Sequence, residues 1–437
     1  MGHITSKSLY RKLGKKIDGL QVKAPWNEAF YEILKELYTP AEAEILIAMP
    51  YGLSTFKRIA KITKCEEKRL RGVLDSLCTK GLVFDLCLDD TFYYTPSPLV
   101  IGIFEMTMMR VGENLNSKKW AKLFHEYMQG DDRFYAANFK HGEKTSVIRA
   151  LPHEEAVDDS PFVEILDYEK ASSIVEASDR WAIGLCSCRH EKHHLGEKTC
   201  DVPLRKCSSF GTAADYLIRH NMAEEVSKEK MLENLEHSRE HRLVLSADNV
   251  QKNVTFICHC CKCCCNVLLG VSRHGYPNTL VTSSFISEID ESKCTGCEKC
   301  AKDCPISAIE MVAIQNPKTK KLKNPKVDKS ICLGCGVCAL RCHKDAVKLV
   351  KRSQRVLHPE TTFERVILQS LERGTLQNQI FDNPQSVSQK VLRGIVGGFL
   401  KLPPVKKTLM SDALRSSFLT AMKKGTESQR KGWLLEM

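Results

Sequence analysis

Two runs of sequence share one cysteine spacing, Cys294-Thr-Gly-Cys297-Glu-Lys-Cys300-Ala-Lys-Asp-Cys304-Pro305 and Cys332-Leu-Gly-Cys335-Gly-Val-Cys338-Ala-Leu-Arg-Cys342-His343. The spacing C-x2-C-x2-C-x3-C is typical of bacterial iron–sulfur sites. Three thiolates at this spacing wrap a tight loop around one iron–sulfur cube, and the small residues between them let backbone N–H groups point at its sulfides. The fourth cysteine begins the next segment and reaches across to the other cube.

The spacing therefore assigns four thiols to each of two [4Fe–4S] clusters. The cluster I set is Cys294, Cys297, Cys300 and Cys342, and the cluster II set is Cys332, Cys335, Cys338 and Cys304. A pair of zinc ribbons is the alternative, but zinc sites group their ligands in pairs and not in two runs of four. The clusters are the favoured interpretation.

The stretch from Ile289 to Val350 resembles the two-cluster bacterial ferredoxins, and the resemblance implies single-electron transfer. Two features depart from that family: His343 stands where proline is usual, and 27 residues separate Cys304 from Cys332. Neither departure removes a ligand. Within the long connection, residues 315–325 (Gln-Asn-Pro-Lys-Thr-Lys-Lys-Leu-Lys-Asn-Pro) are expected to form a basic hairpin or loop.

Length and composition set the frame for the remaining residues. A chain of 437 residues suggests two to four domains. No secretory signal precedes the 21 cysteines, and no apolar run reaches the roughly 18 residues that a membrane-spanning helix needs. We therefore expect metal ligation in a reducing cytoplasm, and exposed clusters would suit an anaerobe. Two clusters would lower the formal charge of +12 to about +8, so the basic balance is weak evidence for nucleic acid.

The predicted fold class is α+β with several domains. Their order is a basic N-terminal arm (1–25), a winged helix-turn-helix-like domain (26–96), a helical connecting region (97–150), a cysteine-rich α/β domain with an additional metal site (162–285), the two-cluster ferredoxin domain (286–350) and a helical C-terminal region (356–437). This arrangement looks similar to large ferredoxin-type proteins of anaerobic bacteria.

Residues 26–96 resemble the winged helix–turn–helix regulators. A capping box at Thr39-Pro40-Ala-Glu42 and a hairpin around Asp89-Asp90 support the resemblance. In that family the helix Glu66–Thr79 would enter the major groove of DNA. The outward face of this helix has three cationic side chains. Five acidic side chains, at the start of the helix and on the wing, would repel the phosphates of DNA. The cations are Lys68, Arg69 and Arg71, and the acids are Glu66, Glu67, Asp85, Asp89 and Asp90.

DNA is therefore the less favoured partner, and protein binding or packing on the iron–sulfur part is preferred for this domain. Three further cysteines are interpreted as packing residues because they are too widely spaced for one site. They are Cys65, Cys78 and Cys87.

Three apolar strands are predicted in the cysteine-rich region, and two of them each lead into a C-x-C sequence. The strand that does not is Phe162–Leu166. Trp181–Leu185 precedes Cys186-Ser-Cys188, and Val254–Ile257 precedes Cys258-His-Cys260. Helices follow both, and a strand end beside a helix start favours a negatively charged group. The preferred partition of the ten thiols gives one site Cys186, Cys188, Cys200 and Cys207, and a second site the pool Cys258, Cys260, Cys261, Cys263, Cys264 and Cys265.

A mixed partition fits the spacing equally well. One or two additional iron–sulfur clusters are expected here, with zinc as the alternative and a redox-active dithiol as a third interpretation. Four histidines nearby are interpreted as hydrogen-bonded or solvated side chains and not as ligands. They are His190, His193, His194 and His259.

The C-terminal region has an apolar stripe at helical spacing, flanked by cations. Its members are Val387, Val391, Leu392, Ile395 and Phe399. We expect the stripe to pack on the body of the protein or on a partner subunit, in preference to a peripheral membrane contact.

No dinucleotide-binding, phosphate-binding or catalytic motif is present, and no catalytic residue or cofactor beyond the clusters is assigned. The predicted function is a relay of single electrons through two or more [4Fe–4S] clusters, to or from a partner oxidoreductase in anaerobic metabolism. Two alternatives remain open. One is a redox-responsive winged-helix transcription regulator, and the other is an iron–sulfur enzyme whose chemistry lies in the cysteine-rich region.

Overall fold

A computed structural model describes residues 2–140, 143–158, 164–314, 322–354, 356–429 and 431–436, and for residues 2–6 and 436 the description covers the backbone alone. The chain forms two compact units. The first contains Met1–Thr145, Tyr216–Met222 and Glu360–Met437, and the second contains Ser146–Asp215 and Ala223–Pro359.

The first part of unit one contains eight helices and three strands among the described residues. The helices are α1 (Gly2–Asp18), α2 (Glu28–Leu37), α3 (Pro40–Ala48), α4 (Phe56–Thr63), α5 (Glu67–Thr79), α6 (Phe104–Met109), α7 (Ser117–Gln129) and α8 (Arg133–Asn138). The strands are β1 (Ser54–Thr55), β2 (Val83–Leu88) and β3 (Thr91–Pro96).

Helix α1 corrects the expectation of a basic arm. Tyr10, Leu13 and Ile17 recur at helical spacing and are at most 4% exposed, so they form a buried face. The arm was inferred from the charge and the glycines of this segment, which conceal that apolar stripe. The segment belongs to the core of unit one.

Helices α3, α4 and α5 and strands β1–β3 follow one another in a compact arrangement. The predicted capping box begins α3, with reciprocal bonds between Thr39 and Glu42. Strands β2 and β3 form an antiparallel hairpin, and β1 pairs with β3, giving the order β1-β3-β2. Asp89 and Asp90 both have positive φ, as a two-residue turn of this hairpin requires. The expected helices and hairpin are thus confirmed.

The C-terminal part of unit one contains five helices among the described residues. They are α16 (Thr362–Arg373), α17 (Leu376–Ile380), α18 (Val387–Leu400), α19 (Pro403–Leu409) and α20 (Arg415–Ser428), numbered after the fifteen that precede them. Thr361 caps α16 by accepting from the Glu364 N–H. A core built around Leu368, Leu371 and Leu400 joins the helices.

The apolar stripe of α18 does not pack on the body as expected. Val387 is 78% exposed and Ile395 is 66% exposed. The helix instead buries Gly397 and Leu400, and a Cβ on Gly397 would lie 2.9 Å from the Gln377 side chain of α17. Gly397 permits this close approach to α17, and Leu400 supplies the buried apolar contact of the helix. A partner subunit on the stripe stays a prediction.

Unit two contains ten strands and seven helices among the described residues. The strands are β4 (Ile148–Ala150), β5 (Trp181–Leu185), β6 (Arg205–Phe210), β7 (Ala223–Val226), β8 (Val244–Asp248), β9 (Phe256–Cys260), β10 (Phe285–Ile289), β11 (Ile309–Ala313), β12 (Lys323–Val327) and β13 (Val347–Lys351). The helices are α9 (Ala171–Glu176), α10 (Ser187–Leu195), α11 (Gly211–Arg219), whose last turn belongs to unit one, α12 (Lys228–Glu240), α13 (Asn266–Ser272), α14 (Lys299–Asp303) and α15 (Val337–Leu340).

The sheet of the cysteine-rich region has the order β4-β8-β9-β6-β5-β7, and every pair of neighbours is antiparallel. The region is therefore α+β, which corrects the α/β prediction; its helices do not serve as crossovers between adjacent parallel strands. Residues 164–166 of the expected strand Phe162–Leu166 are not in a strand, and the remainder of it lies outside the described residues.

Strand β6 decides where the C-x-C sequences meet. It lies between β9 and β5 and is antiparallel to both, so β5 and β9 run in the same direction. Their carboxyl ends, and the helices α10 and α13 that follow, consequently reach the same edge of the sheet.

The ferredoxin-type region repeats one unit, β10-α14-β11 and β12-α15-β13. Strand β10 pairs with β13 and β11 pairs with β12, both antiparallel. The expected basic hairpin is confirmed in its strands, because β12 includes residues 323–325 of the insert; residues 315–321 lie outside the described residues. In the described part of the chain, no helix is both long and apolar enough for a bilayer crossing.

Candidate metal centres

The two ferredoxin-type loops repeat one backbone conformation. In the first loop Gly296 and Glu298 have φ values of 71° and 63°, and in the second Gly334 and Gly336 have values of 68° and 84°. These left-handed residues flank the middle cysteine of each run and curl the loop around a central point. At Gly334 only glycine fits, because a Cβ would lie 2.1 Å from the Phe285 carbonyl oxygen.

The cluster II set lines one cavity. Its wall includes all four cysteines of the set, with Cys304 delivered by the first run, and apolar residues such as Ile306 and Leu349 complete it. The Ala308 N–H donates to Cys304 Sγ at 3.1 Å, and the Ser287 hydroxyl lies 3.3 Å from Cys338 Sγ. The thiols that sequence spacing assigned to cluster II are thus brought together, with donors that would stabilise thiolates.

The cluster I set also converges. Burial, together with the charges of the other three members of the set, raises the pKa of Cys300 to about 11; those members are Cys294, Cys297 and Cys342. Cys297 is exposed to solvent, which places cluster I at the protein surface. Cys300 in turn acts on Cys338 of the cluster II set, so the two sets approach each other at this pair.

The donor chemistry fits iron–sulfur clusters. Burial raises the pKa of Cys335 well above its usual value and that of Cys338 to about 12. Thiolates are therefore unfavourable in these sites unless positive charge is supplied. The irons of a [4Fe–4S] cube supply that charge, and binding them releases the thiol protons.

The ten thiols of the cysteine-rich region fall into two groups. The six-thiol group contains Cys186, Cys188, Cys207, Cys258, Cys260 and Cys265, and the four-thiol group contains Cys200, Cys261, Cys263 and Cys264. The structure therefore groups the thiols differently from the preferred partition, in the mixed manner that the sequence left open. Cys200 lies beside residues that follow β9, and Cys207 lies beside β9 itself.

The six-thiol group is built on the shared sheet edge. Cys258 and Cys260 alternate with His259 along β9, so both thiols lie on one face of the sheet. Cys207 of β6 is one register step from the Ser208–Ile257 pair and therefore sits opposite Cys258. Hydrogen bonds from the Cys258 and Cys265 thiols lower the pKa of Cys260 to about 6.

Backbone amides at the starts of α10 and α13 point toward the six-thiol group. The N–H of Arg189 donates to Cys186, and the N–H of Asn266 donates to Cys188. The Asn266 side chain also donates to the buried Glu191 carboxylate at 2.7 Å. The prediction that helix starts would face thiolates at the strand ends is confirmed, and their N–H groups favour negative charge there.

The four-thiol group is much tighter. Its four Sγ atoms all lie within 4.8 Å of one another, with Cys200–Cys261 at 3.7 Å, Cys261–Cys263 at 3.8 Å and Cys263–Cys264 at 3.5 Å. Val202 and Leu243 pack against it. Cys264 is fully buried, so the group is closed from solvent on that side.

Arg189 lies between the two groups and was not singled out from the sequence. It is fully buried and donates to the Pro203 and His259 carbonyl oxygens at 3.0 and 2.6 Å. Burial lowers its pKa, but Cys186 of one group and Cys261 of the other raise it more, so its net pKa is raised. Its position directly after Cys188 is a signal that the sequence does contain, because a cation beside a run of thiols can balance their charge.

The histidines behave as predicted from their residue type. The His259 ring is hydrogen-bonded at 2.7 Å to both Ser208 and Ser238, and burial lowers its pKa well below the usual value. His190 and His194 contact each other at 2.9 Å, and His193 is exposed. None of the four belongs to a convergent metal-ligating group among the described residues.

One surface group escaped the sequence analysis. His237 and Glu240 of α12 and His241, the residue that follows the helix, present ligand atoms within 4.8 Å of one another. Two imidazoles one helical turn apart can grip a divalent ion, and their i, i+4 spacing was the available signal. The carboxylate of Glu240 is exposed, so this group lacks the enclosure of the thiol groups.

The remaining cysteines lie in unit one and outside every metal-ligating group of the described residues. Cys78 is buried, and burial raises its pKa strongly. Its carbonyl accepts from the Tyr216 hydroxyl at 2.8 Å. Cys65 and Cys87 are half-buried, and the role of all three as packing residues stays a prediction.

Comparison with known families adds one match. Residues 293–346 match the family described as the 4Fe-4S dicluster domain, which spans both cysteine runs. Neither the curated proteins nor the solved structures gave a match to the chain. The matched family supports a ferredoxin-type, iron–sulfur electron-transfer domain at residues 293–346 of this chain.

Proposed function

We propose that this protein relays single electrons between a redox partner protein and a chain of iron–sulfur clusters. The observation that carries the proposal is the cavity lined by Cys304 together with the three cysteines of the second run. When one run contributes a ligand to the cube of the other run, the two cubes are held close together. This suits electron transfer between them. The approach of Cys300 to Cys338 supports the same relay.

Cluster I is the site where electrons arrive or leave. Cys297 is exposed, whereas all four members of the cluster II set are buried. Lys299 and Lys302, beside Cys300 on α14, are both exposed. They give this surface a positive charge that would steer an acidic partner protein.

The six-thiol group is proposed as a third iron–sulfur site. It has more thiols than one tetrahedral ion can bind, and no three of its described sulfurs lie mutually within 4.8 Å. The cluster I and cluster II sets share this wide spacing. Backbone N–H groups and the buried Arg189 would balance the charge of such a cluster.

Anaerobic purification followed by iron, sulfide and EPR analysis tests the proposal. We expect about eight irons from clusters I and II, and about four more if the six-thiol group binds a further cube. Dithionite should produce EPR signals of reduced [4Fe–4S] clusters, and an added oxidant should remove them. Protein that is iron-free after strict exclusion of air would refute the relay.

A second candidate function rests on unit one. The order α3-β1-α4-α5-β2-β3 and the β1-β3-β2 sheet support a winged helix, and Asp85 of the wing is paired with Arg219 and His220 at 2.9 and 2.8 Å. Asp85 therefore opposes phosphate less than the sequence suggested. Lys68 and Arg69 stay exposed on α5.

Redox-responsive DNA binding is tested by fluorescence anisotropy with duplex DNA, using oxidised and dithionite-reduced protein. A regulator requires affinity that changes with cluster state and falls when Lys68 and Arg69 are both replaced by glutamine. Because phosphate contacts are salt-dependent, the signal should also weaken as salt is raised. If the wild type and the variant bound DNA equally weakly in both the oxidised and the reduced state, electron transfer would remain the function.

A further inference from the structure

We propose that the four-thiol group binds one tetrahedral zinc ion, a structural site distinct in kind from the iron–sulfur centres of the same unit. The thiols come from two segments far apart in sequence. Cys200 lies in the loop between α10 and β6, and the other three follow β9 directly. The metal would fasten these two segments together.

The distances decide the type of centre. Four sulfurs bonded to one zinc ion at about 2.3 Å in a tetrahedron lie about 3.8 Å apart. The observed separations of 3.7 Å for Cys200–Cys261 and 3.8 Å for Cys261–Cys263 match that edge, and Cys263–Cys264 at 3.5 Å is close to it. In a [4Fe–4S] cube each thiolate binds a different iron at a different corner, so its sulfurs stand farther apart.

The cluster I and cluster II sets provide a comparison within the same unit. Among the residues described, neither the cluster I set nor the cluster II set contains three sulfurs that all lie within 4.8 Å of one another. The four-thiol group is the one set of cysteines there that meets this distance. Compactness is therefore a property of these four thiols and not of cysteine-rich loops in general.

The surroundings suit a closed site with a double negative charge. Four protein thiolates fill a tetrahedral shell and leave no open position, as in structural zinc sites. The positive charge of the Arg189 guanidinium acts on Cys261, and the Thr199 hydroxyl favours the thiolate form of Cys263. Such donors to ligand sulfurs orient them and offset their charge.

The consequence of zinc would be structural order close to cluster II. The loop 196–204 contains no helix or strand, and the metal would fix it against the segment after β9. Within that segment Lys262 donates to the Lys302 carbonyl at 3.3 Å, and its charge acts on Cys304. Leu243 packs on the four thiols, and its carbonyl oxygen accepts a hydrogen bond from the His153 ring at 2.8 Å. The backbone N–H of His153 donates to the Cys335 carbonyl oxygen at 3.0 Å.

The test is elemental analysis of anaerobically purified full-length protein. We expect one zinc per chain in the wild type, its loss in Cys263→Ser, and iron and sulfide contents equal in both. Cys65→Ser is the matched control, because Cys65 is half-buried in unit one and outside every metal-ligating group described, and it should keep its zinc. If Cys263→Ser lost one iron or about four irons, and not zinc, the proposal would be overturned.

A second variant keeps the proposal testable if Cys263→Ser fails to fold. Zinc sites accept histidine in place of cysteine, so Cys200→His should retain one metal ion. Growth with cobalt should give the wild type the intense visible bands of tetrahedral cobalt bound to four thiolates, and Cys200→His should shift those bands to shorter wavelength. Absence of tetrahedral cobalt bands in the wild type would contradict a single-ion site.

Discussion

The dicluster region and the cysteine-rich region both collect thiols, but they do so at different levels of structure. Each ferredoxin-type loop offers three thiols from one short run, and Cys304 of the first run lines the cavity of the second. In the cysteine-rich region every group combines segments that strand pairing brings together, as Cys207 and Cys258 show. The comparison teaches that local spacing can encode a whole cluster site, whereas sheet register is needed for the other thiols.

The two regions also differ in the size of the centre that they suit. Among the described residues, the cluster I and II sets have no three sulfurs mutually within 4.8 Å, whereas the four-thiol group closes to the edge length of a single tetrahedron. In our proposal, one unit of the protein therefore contains thiols for redox chemistry and thiols for structural support.

The largest effect is expected from Cys304→Ser. Although Cys304 belongs to the first run, it lines the cluster II cavity, so the variant should lose cluster II, or about four irons, and keep cluster I. Cys342→Ser is the reciprocal variant and should lose cluster I. EPR of the reduced proteins and iron counts distinguish the two, and a loss of cluster I in Cys304→Ser would show that each run serves its own cube.

A smaller effect is expected from Gly334→Ala. The added Cβ would lie 2.1 Å from the Phe285 carbonyl oxygen, at a φ of 68° that alanine disfavours, so the variant should lose about 3 to 5 kcal/mol of unfolding free energy and bind cluster II poorly. Gly196→Ala is the control because its φ is 72° and no atom lies within 4 Å of its Cβ.

The control should lose only about 1 to 2 kcal/mol. Anaerobic denaturant unfolding measures both values, with cluster absorbance followed in the same samples. Equal losses in the two variants would mean that the close approach at Gly334 does not shape the cluster II loop.

The smallest effect is expected from Lys262→Gln. The reduced cluster carries one more negative charge, so a nearby cation stabilises it and raises its reduction potential. Removing the Lys262 charge should lower the potential of cluster II by roughly 20 to 40 mV, since the side chain is exposed and screened. Redox titration followed by EPR measures the shift, and Lys122→Gln in unit one should cause none.

Sequence reasoning located the ferredoxin-type sites because their ligands are almost contiguous. The spacing assigned Cys304 to the distant run, and the same four thiols line the cavity around it. The secondary structure of unit one was likewise visible in caps and turns, such as the capping box at Thr39 and the hairpin turn at Asp89 and Asp90.

The partition of the other ten thiols could not be obtained in this way. Cys200 and Cys207 are close in sequence, yet they enter different groups because Cys207 is in β6, opposite β9, while Cys200 lies in the loop before it. Which thiols meet depends on the pairing order of the sheet, which no local pattern reveals. The α/β prediction failed for the same reason, since β5 and β9 run in the same direction but are separated by β6, which is antiparallel to both.

The exposed stripe of α18 shows a second limit. Helical periodicity identified Val391 and Ile395 correctly as members of one face, but periodicity alone does not say what covers that face. The inward side of α18 uses Gly397 and Leu400, because close helix packing through glycine needs few apolar side chains.

The most direct test of the contrast between the two regions is a joint count of zinc, iron and acid-labile sulfide in wild-type protein purified without air. We predict one zinc ion alongside at least about eight irons, with sulfide equal to iron. Iron and sulfide without any zinc, or zinc without sulfide, would contradict the presence of two kinds of thiol centre in one unit.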